Sequence, residues 1–337
     1  MTVSAQRFVV SSHPVGEPTE DNFRLESIEV PDPPPGQILV RTQYLSLDPY
    51  VRGRISGVKT YAAPTPIGAP PPGDTVCVVE VSNDESVAAG DIVLANIGWQ
   101  THALVSACDV RKLDPAAAPV TTALGVLGMP GITAYSGLLT IGRPAPGETV
   151  VVAAATGPVG SLVGQLAKIK GARAVGIAGG PAKTDYLLTE LGFNAAVDHR
   201  APDFPDQLAA ATPDGIDVYF ENVGGKVFDA VFPLLNPHAR MPVCGLVSGY
   251  NATQPPPPLP GSLMRFVLNN SLTIRGFIVY DFWDQFDRFF GEVSGWIREG
   301  KIRYREDIVD GFQNTPAAFA GMLKGNNFGK LIIHISD

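Results

Sequence analysis

The chain has 337 residues, 45% of them hydrophobic, which suits two domains or one large one and excludes a disordered chain without a core. A formal net charge of −8 argues against a nucleic-acid or anionic-membrane surface. No run approaches the roughly 18 apolar residues that a membrane span needs. Residues 1–14 hold no apolar segment of useful length and no cleavage signature. The cysteines Cys77, Cys108 and Cys244 form neither a disulfide framework nor a CxxC pair. A cytoplasmic protein with reduced, buried thiols is therefore expected.

Residues 7–10, 23–28 and 37–42 read as strands separated by Pro-rich punctuation such as 31–36. Gly73-Asp74-Thr75-Val76 and Gly90-Asp91-Ile92-Val93 repeat a pattern in which a turn glycine enters a strand. Many short strands with Gly/Pro turns predict a small barrel. From Pro119 the texture changes to small apolar residues at helix-compatible spacing, which puts a domain boundary near residue 122.

The stretch 149–180 then organises the chain. Residues 150–155 form the continuous apolar run of a strand buried on both faces. A turn with Gly157 and Gly160 follows, and Val159, Leu162, Val163 and Leu166 supply one apolar stripe of a helix. Gly171 closes that helix, and 174–178 begin a second buried strand. In such a βαβ unit the glycine turn admits a pyrophosphate beside the free N–H groups of the helix N-terminus. An NAD-binding unit commonly carries an acid about 20 residues on, for the ribose hydroxyls. Here that position falls on Gly179-Gly180-Pro181-Ala182-Lys183, with no acid and one lysine, which favours NADP(H).

The α/β alternation continues with a helix over 184–191, strands over 194–197 and 215–220, a helix over 226–235 and a strand over 239–246. Asn222 and the segment 244–250 fall at carboxyl ends of strands, where such sheets bind ligands, and are candidates for the nicotinamide half. The Pro-rich run 254–260 predicts an extended loop able to rim a cleft. A strand over 272–279 and an amphipathic helix over 286–298 follow. The tail, 301–337, returns to β texture and is expected to fold back onto the barrel. The histidines His13, His102, His199, His238 and His334 make no zinc-ligand spacing, and no G-x-S-x-G elbow supports a hydrolase. A zinc-free NADP(H) enzyme must polarise its substrate by hydrogen bonding, which suits hydride addition to an activated C=C whose oxygen becomes an enolate.

The segments 44–54 (YLSLDPYVRGR), 98–100 (GWQ), 127–135 (LGMPGITAY), 155–161 (ATGPVGS), 219–225 (YFENVGG) and 325–330 (GNNFGK) carry a specific resemblance. Together the chain resembles the zinc-free branch of the medium-chain dehydrogenase/reductase family that holds curcumin reductases, prostaglandin reductases and plant alkenal double-bond reductases. The resemblance implies an α/β protein: a GroES-like β-barrel from residues 1–122 completed by 300–337, and a Rossmann doubly wound parallel sheet over 123–299. It implies a homodimer that reduces α,β-unsaturated ketones and aldehydes with NADPH.

Carried onto this sequence, Gly157, Pro158, Val159 and Gly160 hold the pyrophosphate, and Lys183 matches the lysine of the 2′-phosphate. The second phosphate contact, usually a Tyr in a D-Y-K triplet, is His199 in Asp198-His199-Arg200. Asn222, Cys244, Gly245, Leu246, Ser248, Tyr250, Phe277, Ile278, Val279 and Asn327 match nicotinamide and ribose contacts. The Tyr that several relatives carry before the strand at 276–279 is missing here, its place falling near Asn269. Tyr250 and Tyr61 are instead the candidate catalytic donors, and Tyr50 is expected to line the substrate cleft. An NADPH:quinone reductase and a catalytically idle NADPH-binding protein are the alternatives on the same fold.

Overall fold

Short strands fill the N-terminal part because its β-branched and aromatic residues sit between Gly and Pro turns. In the computed structural model, which describes residues 2–254 and 261–336, they are β1 (Thr2–Val10), β2 (Phe23–Pro31), β3 (Gln37–Ser46), β4 (Thr75–Ser82), β5 (Ile92–Ala95), β6 (His102–Ser106) and β7 (Arg111–Lys112). A single helical turn, α1 (Val51–Arg54), lies between β3 and β4. β1 and β2 form their own antiparallel ribbon, while β3 pairs antiparallel with both β4 and β6.

The next stretch alternates helix and strand. It runs through α2 (Met129–Ser136), β8 (Thr149–Ala153), α3 (Pro158–Ile169), β9 (Arg173–Ala178), α4 (Pro181–Thr189), β10 (Ala195–Asp198), α5 (Phe204–Ala211) and β11 (Ile216–Phe220). It continues with α6 (Gly225–Val231), β12 (Leu235–Val243), α7 (Gly261–Asn269), β13 (Thr273–Gly276) and α8 (Phe286–Arg298). The six strands lie in the order β10-β9-β8-β11-β12-β13, and every pairing is parallel. This is the doubly wound order, with its reversal between β8 and β11. β8 is buried along its whole length, as its unbroken apolar run requires.

The tail adds β14 (Glu306–Asp310), α9 (Thr315–Leu323) and β15 (Lys330–His334). β15 pairs antiparallel with β3, giving the barrel sheet the order β14-β15-β3-β4-β5-β7 with β6 on β3. The chain thus divides into two compact units, 1–125 with 306–337 and 126–305. The barrel unit is centred on Trp99, fully buried, with Phe23 at 4.9 Å, Phe319 at 5.5 Å and Phe8 at 6.4 Å between ring centroids. In the sheet unit Val151, Val175, Ile177, Val197 and Tyr219 meet Leu208, Val227 and Val231 from the helices. Each such burial contributes about 1.5–3 kcal/mol.

Two expectations change, and a third lies largely outside the described residues. The strand over 272–279 shrinks to Thr273–Gly276, an edge strand exposed at every residue, so no burial extends it. Cys77 is buried, but Cys108 is exposed in the turn after β6 and Cys244 is intermediate. The Pro-rich loop 254–260 lies, from residue 255, outside the described residues.

Candidate active site

The phosphate turn is built by close packing. After β8, Ala154 adopts a left-handed φ of 52° and turns the chain sharply toward α3. Gly157 caps α3 and Pro158 opens it, so that the amides of Val159 and Gly160 precede the first intrahelical bond, Ser161 N–H to Gly157 O at 3.0 Å. A Cβ at Gly160 would lie 2.4 Å from Ala154 O and 2.8 Å from Ala155 Cα, so only glycine lets the helix approach the strand. A Cβ at Gly157 would meet only Ala154 O, at 3.3 Å. This turn fits a pyrophosphate.

At the end of β9 the turn Gly179-Gly180 leads into α4, whose first turn carries Lys183, half-buried. The loop after β10 closes over that turn. Asp198 Oδ1 accepts N–H bonds from Gly180 and Arg200, both at 2.9 Å. His199 Nε2 and Arg200 Nε each lie 2.9 Å from where a Gly179 Cβ would be. His199 Nδ1 is buried without a hydrogen-bond partner among the described residues. Burial first, then Lys226 and Arg200, hold the imidazole below its usual pKa. A helix N-terminus with Lys183 in its first turn and the Arg200 guanidinium against Gly179 fits a phosphate on the adenosine side.

The carboxyl ends of β8, β11 and β12 are tied together by one buried acid and its neighbours. Asn222 Nδ2 donates to Ala153 O at 2.8 Å, joining β11 to β8. Glu221, 1% exposed, accepts from the N–H groups of Val223 at 2.6 Å and Gly224 at 2.9 Å through Oε1. Its Oε2 makes no well-formed hydrogen bond among the described residues, although the Tyr219 hydroxyl acts on the carboxyl, and burial raises its pKa. Cys244 and Gly245 both donate their N–H to Glu221 O, and Cys244 is pushed up to about 12 by burial and by that acid. The thiol is therefore inert as a nucleophile. Val247 and Ser248 N–H bond to the carbonyls of Asn222 and Val223, and Ser248 Oγ donates to Val223 O at 2.6 Å. Exposed Leu246 packs over Gly224. The segment ends with Tyr250, whose hydroxyl lies 3.3 Å from where a Gly245 Cβ would be. A phenol thus sits at the carboxyl edge of the sheet, beside Asn222 and Gly245.

The other candidates are placed differently. The Phe277 ring is core, edge-on to Phe220 and Phe282 and against Gly137, so only its backbone is available to a ligand. Ile278 and Val279 are half-buried just after it. Tyr50, Tyr61 and Asn327 belong to the barrel unit. Tyr50 packs on the core around Trp99, Tyr61 is 57% exposed, and Asn327 Nδ2 donates to Gly329 O at 2.9 Å. Arg200 was read beside His199 at the phosphate contact, while Glu221 and Lys226 were passed over as site residues. Glu221 stood in the quoted 219–225 segment, but its burial is a property of the packed strand ends. Lys226, the second residue of α6, acts on His199 through its charge across a gap in sequence that no local pattern announces.

Two family models match: the N-terminal domain of oxidoreductase over residues 6–113 and zinc-binding dehydrogenase over 158–294. Despite the second description, no group of three His, Cys, Asp or Glu able to hold a metal is found among the described residues. The chain is 52% identical to the NADPH-dependent curcumin reductase of Escherichia coli (strain K12), across 98% of this chain and 97% of that protein. It is 40% identical to prostaglandin reductase 1 of Rattus norvegicus, across 98% and 99%. The crystal structure of CurA in complex with NADPH from Vibrio vulnificus superposes with a TM-score of 0.94 at 47% identity, covering 98% and 99%. Fold, glycine turn and similarity together define a medium-chain dehydrogenase/reductase, and the chain belongs to that family. Within it, the chain matches curcumin and prostaglandin reductases along nearly its whole length.

Proposed function

We propose that the protein is an NADPH-dependent reductase of the C=C bond of α,β-unsaturated ketones and aldehydes. The observation that carries the reading is the Tyr250 hydroxyl against Gly245, at the strand ends where Asn222 and the 244–250 segment converge. The likeness to an NADPH-dependent curcumin reductase supports the cofactor and the reaction class. Bound NADPH supplies a hydride to the β-carbon. Tyr250 donates a hydrogen bond to the carbonyl oxygen, more strongly as enolate charge develops, and the α-carbon takes its proton from a tyrosine or water. Gly157 to Gly160 cradle the pyrophosphate, and Lys183 with the 198–200 loop takes the 2′-phosphate. Asn222, Cys244 to Ser248, and the backbone of Phe277 to Val279 hold the nicotinamide ribose end. Tyr61 is the alternative donor, Tyr50 a substrate contact and Asn327 a ribose contact. Residues 1–122 with 300–337 form the GroES-like catalytic domain and 123–299 the Rossmann NADP-binding domain.

The same reading makes the protein a cytoplasmic homodimer. β13 pairs with β12 on one side and with no strand among the described residues on the other, and Met264, Leu268 and Ile274 are exposed apolar residues on it and on the helix before it. The deciding experiment offers an enal, an enone and a quinone in one NADPH-consumption assay and identifies products by mass and by proton NMR, which separates a saturated carbonyl from the isomeric allylic alcohol. A product two hydrogens heavier at the C=C is expected. Turnover of quinones alone, or tight NADPH binding with no turnover, overturns the reading.

A further inference from the structure

His199 stands out because its surroundings among the described residues favour the neutral ring at a site read as binding a phosphate. Its ring lies against Gly179 in the turn before α4, with Nδ1 enclosed and making no hydrogen bond among the described residues. The charges acting on it come from two elements: Lys226 on α6, and Arg200 and Asp198 in its own segment. Two are cations. The third, Asp198, already accepts the N–H groups of Gly180 and Arg200 through Oδ1. Among these cations a neutral imidazole is favoured, and the charge needed to favour an imidazolium is a dianion.

We propose that His199 is a proton-linked specificity residue, meeting the 2′-phosphate of NADPH as an imidazolium, so that NADPH binding takes up a proton that NADH binding does not. The inference rests on the cofactor reading above. The sign follows from linkage. In the free protein burial and Lys226 disfavour the protonated ring, and the phosphate reverses that preference. NADPH therefore binds tightest on the acid side and weakens as pH rises through the interval between the free and bound ring. NADH, without the phosphate, follows no such course. A phosphate monoester loses its second proton near pH 6, so uptake measured at about pH 7 belongs to the protein.

The test is calorimetric titration of the full chain with NADPH and with NADH at about pH 7, in non-phosphate buffers of different ionisation enthalpy. Wild type should take up a measurable fraction of a proton with NADPH and close to none with NADH. His199→Gln and His199→Tyr should abolish the uptake. Each should also flatten the pH dependence of NADPH affinity, which in wild type falls by roughly tenfold more than that of NADH between about pH 6.5 and 8.5. Uptake that is absent in wild type, equal for both cofactors, or retained in His199→Gln overturns the proposal, and the wild-type measurement stands without either variant. NADPH preference without proton uptake overturns only the role of His199. Equal affinity for the two cofactors overturns the cofactor reading and this inference with it.

Discussion

The chemistry of the site comes down to single polar atoms at strand ends. At Tyr250 it is one hydroxyl, held near Gly245. A neutral phenol donates one hydrogen bond, and a bond made mainly in the transition state lowers kcat when removed while sparing KM. Loss of an oxyanion donor costs about 2.7–4 kcal/mol. Tyr250 is only half-buried, so water partly substitutes, and Tyr250→Phe should lower kcat by roughly ten- to a hundredfold with NADPH affinity retained. Full kcat in that variant, with loss in Tyr61→Phe, would move the donor to Tyr61. Glu221 makes a second, opposite case. Burial raises its pKa above the unfolded value, so the folded protein binds more protons than the unfolded chain between those two values. Its contribution is therefore favourable at acid pH and declines as pH rises through the folded pKa. Gln keeps an oxygen for the N–H groups of Val223 and Gly224 and carries no charge. Thermal unfolding of Glu221→Gln should show a higher midpoint than wild type at neutral pH, converging with it in acid. Glu221→Ala, which strands both N–H groups, should lose about 1–3 kcal/mol. A Gln variant less stable than wild type at neutral pH would show that the carboxylate is compensated.

One element, β8 with its turn and α3, carries the cofactor half, and its tolerance is set by Gly160. A Cβ there would collide with backbone, Ala154 O and Ala155 Cα, which cannot rotate away as a side chain can. Gly160→Ala should thus push α3 from β8, costing about 1–3 kcal/mol of stability and weakening NADPH. Calorimetry and a binding titration read the two losses together, and a variant with unchanged NADPH affinity would show that the helix approach does not shape the phosphate turn. This element was the most legible in the sequence, because burial on both faces leaves an unbroken apolar run and the helix a single stripe. The far edge of the same sheet was least legible. β13 is exposed at every residue, so its apolar residues carried no information about where the strand ends. α7 went unread although Leu263, Phe266 and Val267 share its half-buried side, where Phe266 meets Phe232 at 4.7 Å. A single turn and a half of stripe after a proline run gives little periodic signal.

For the chain as a whole, the return of the tail was legible as texture, while the bond that locks it was not. Lys330, 2% exposed, opens β15 and donates to Asp48 Oδ1 at 2.6 Å and to Leu47 O at 2.9 Å, a pair 282 residues apart in sequence. Ser46 Oγ donates to the other oxygen of Asp48. No local pattern announces such a pair, because each partner alone reads as an ordinary charged residue at a strand end. A buried pair is weak evidence of net stability, since desolvating both charges offsets most of their attraction. Breaking it is another matter, because the buried charge left behind keeps only the Ser46 hydroxyl and no counter-charge. Lys330→Met keeps the stem volume and strands Asp48, which should cost roughly 3–5 kcal/mol. In a unit of this size that lowers the unfolding midpoint by on the order of 10 °C. Adding Asp48→Asn removes the stranded charge while leaving an acceptor for Ser46, so the double variant should regain most of the loss. Calorimetry of both variants decides the matter. If Lys330→Met melts with wild type, the pair is solvated and the closure of the barrel by its tail rests on the β15–β3 ladder alone. If the double variant is as unstable as the single one, the lysine acts through its bond to Leu47 O rather than through its charge.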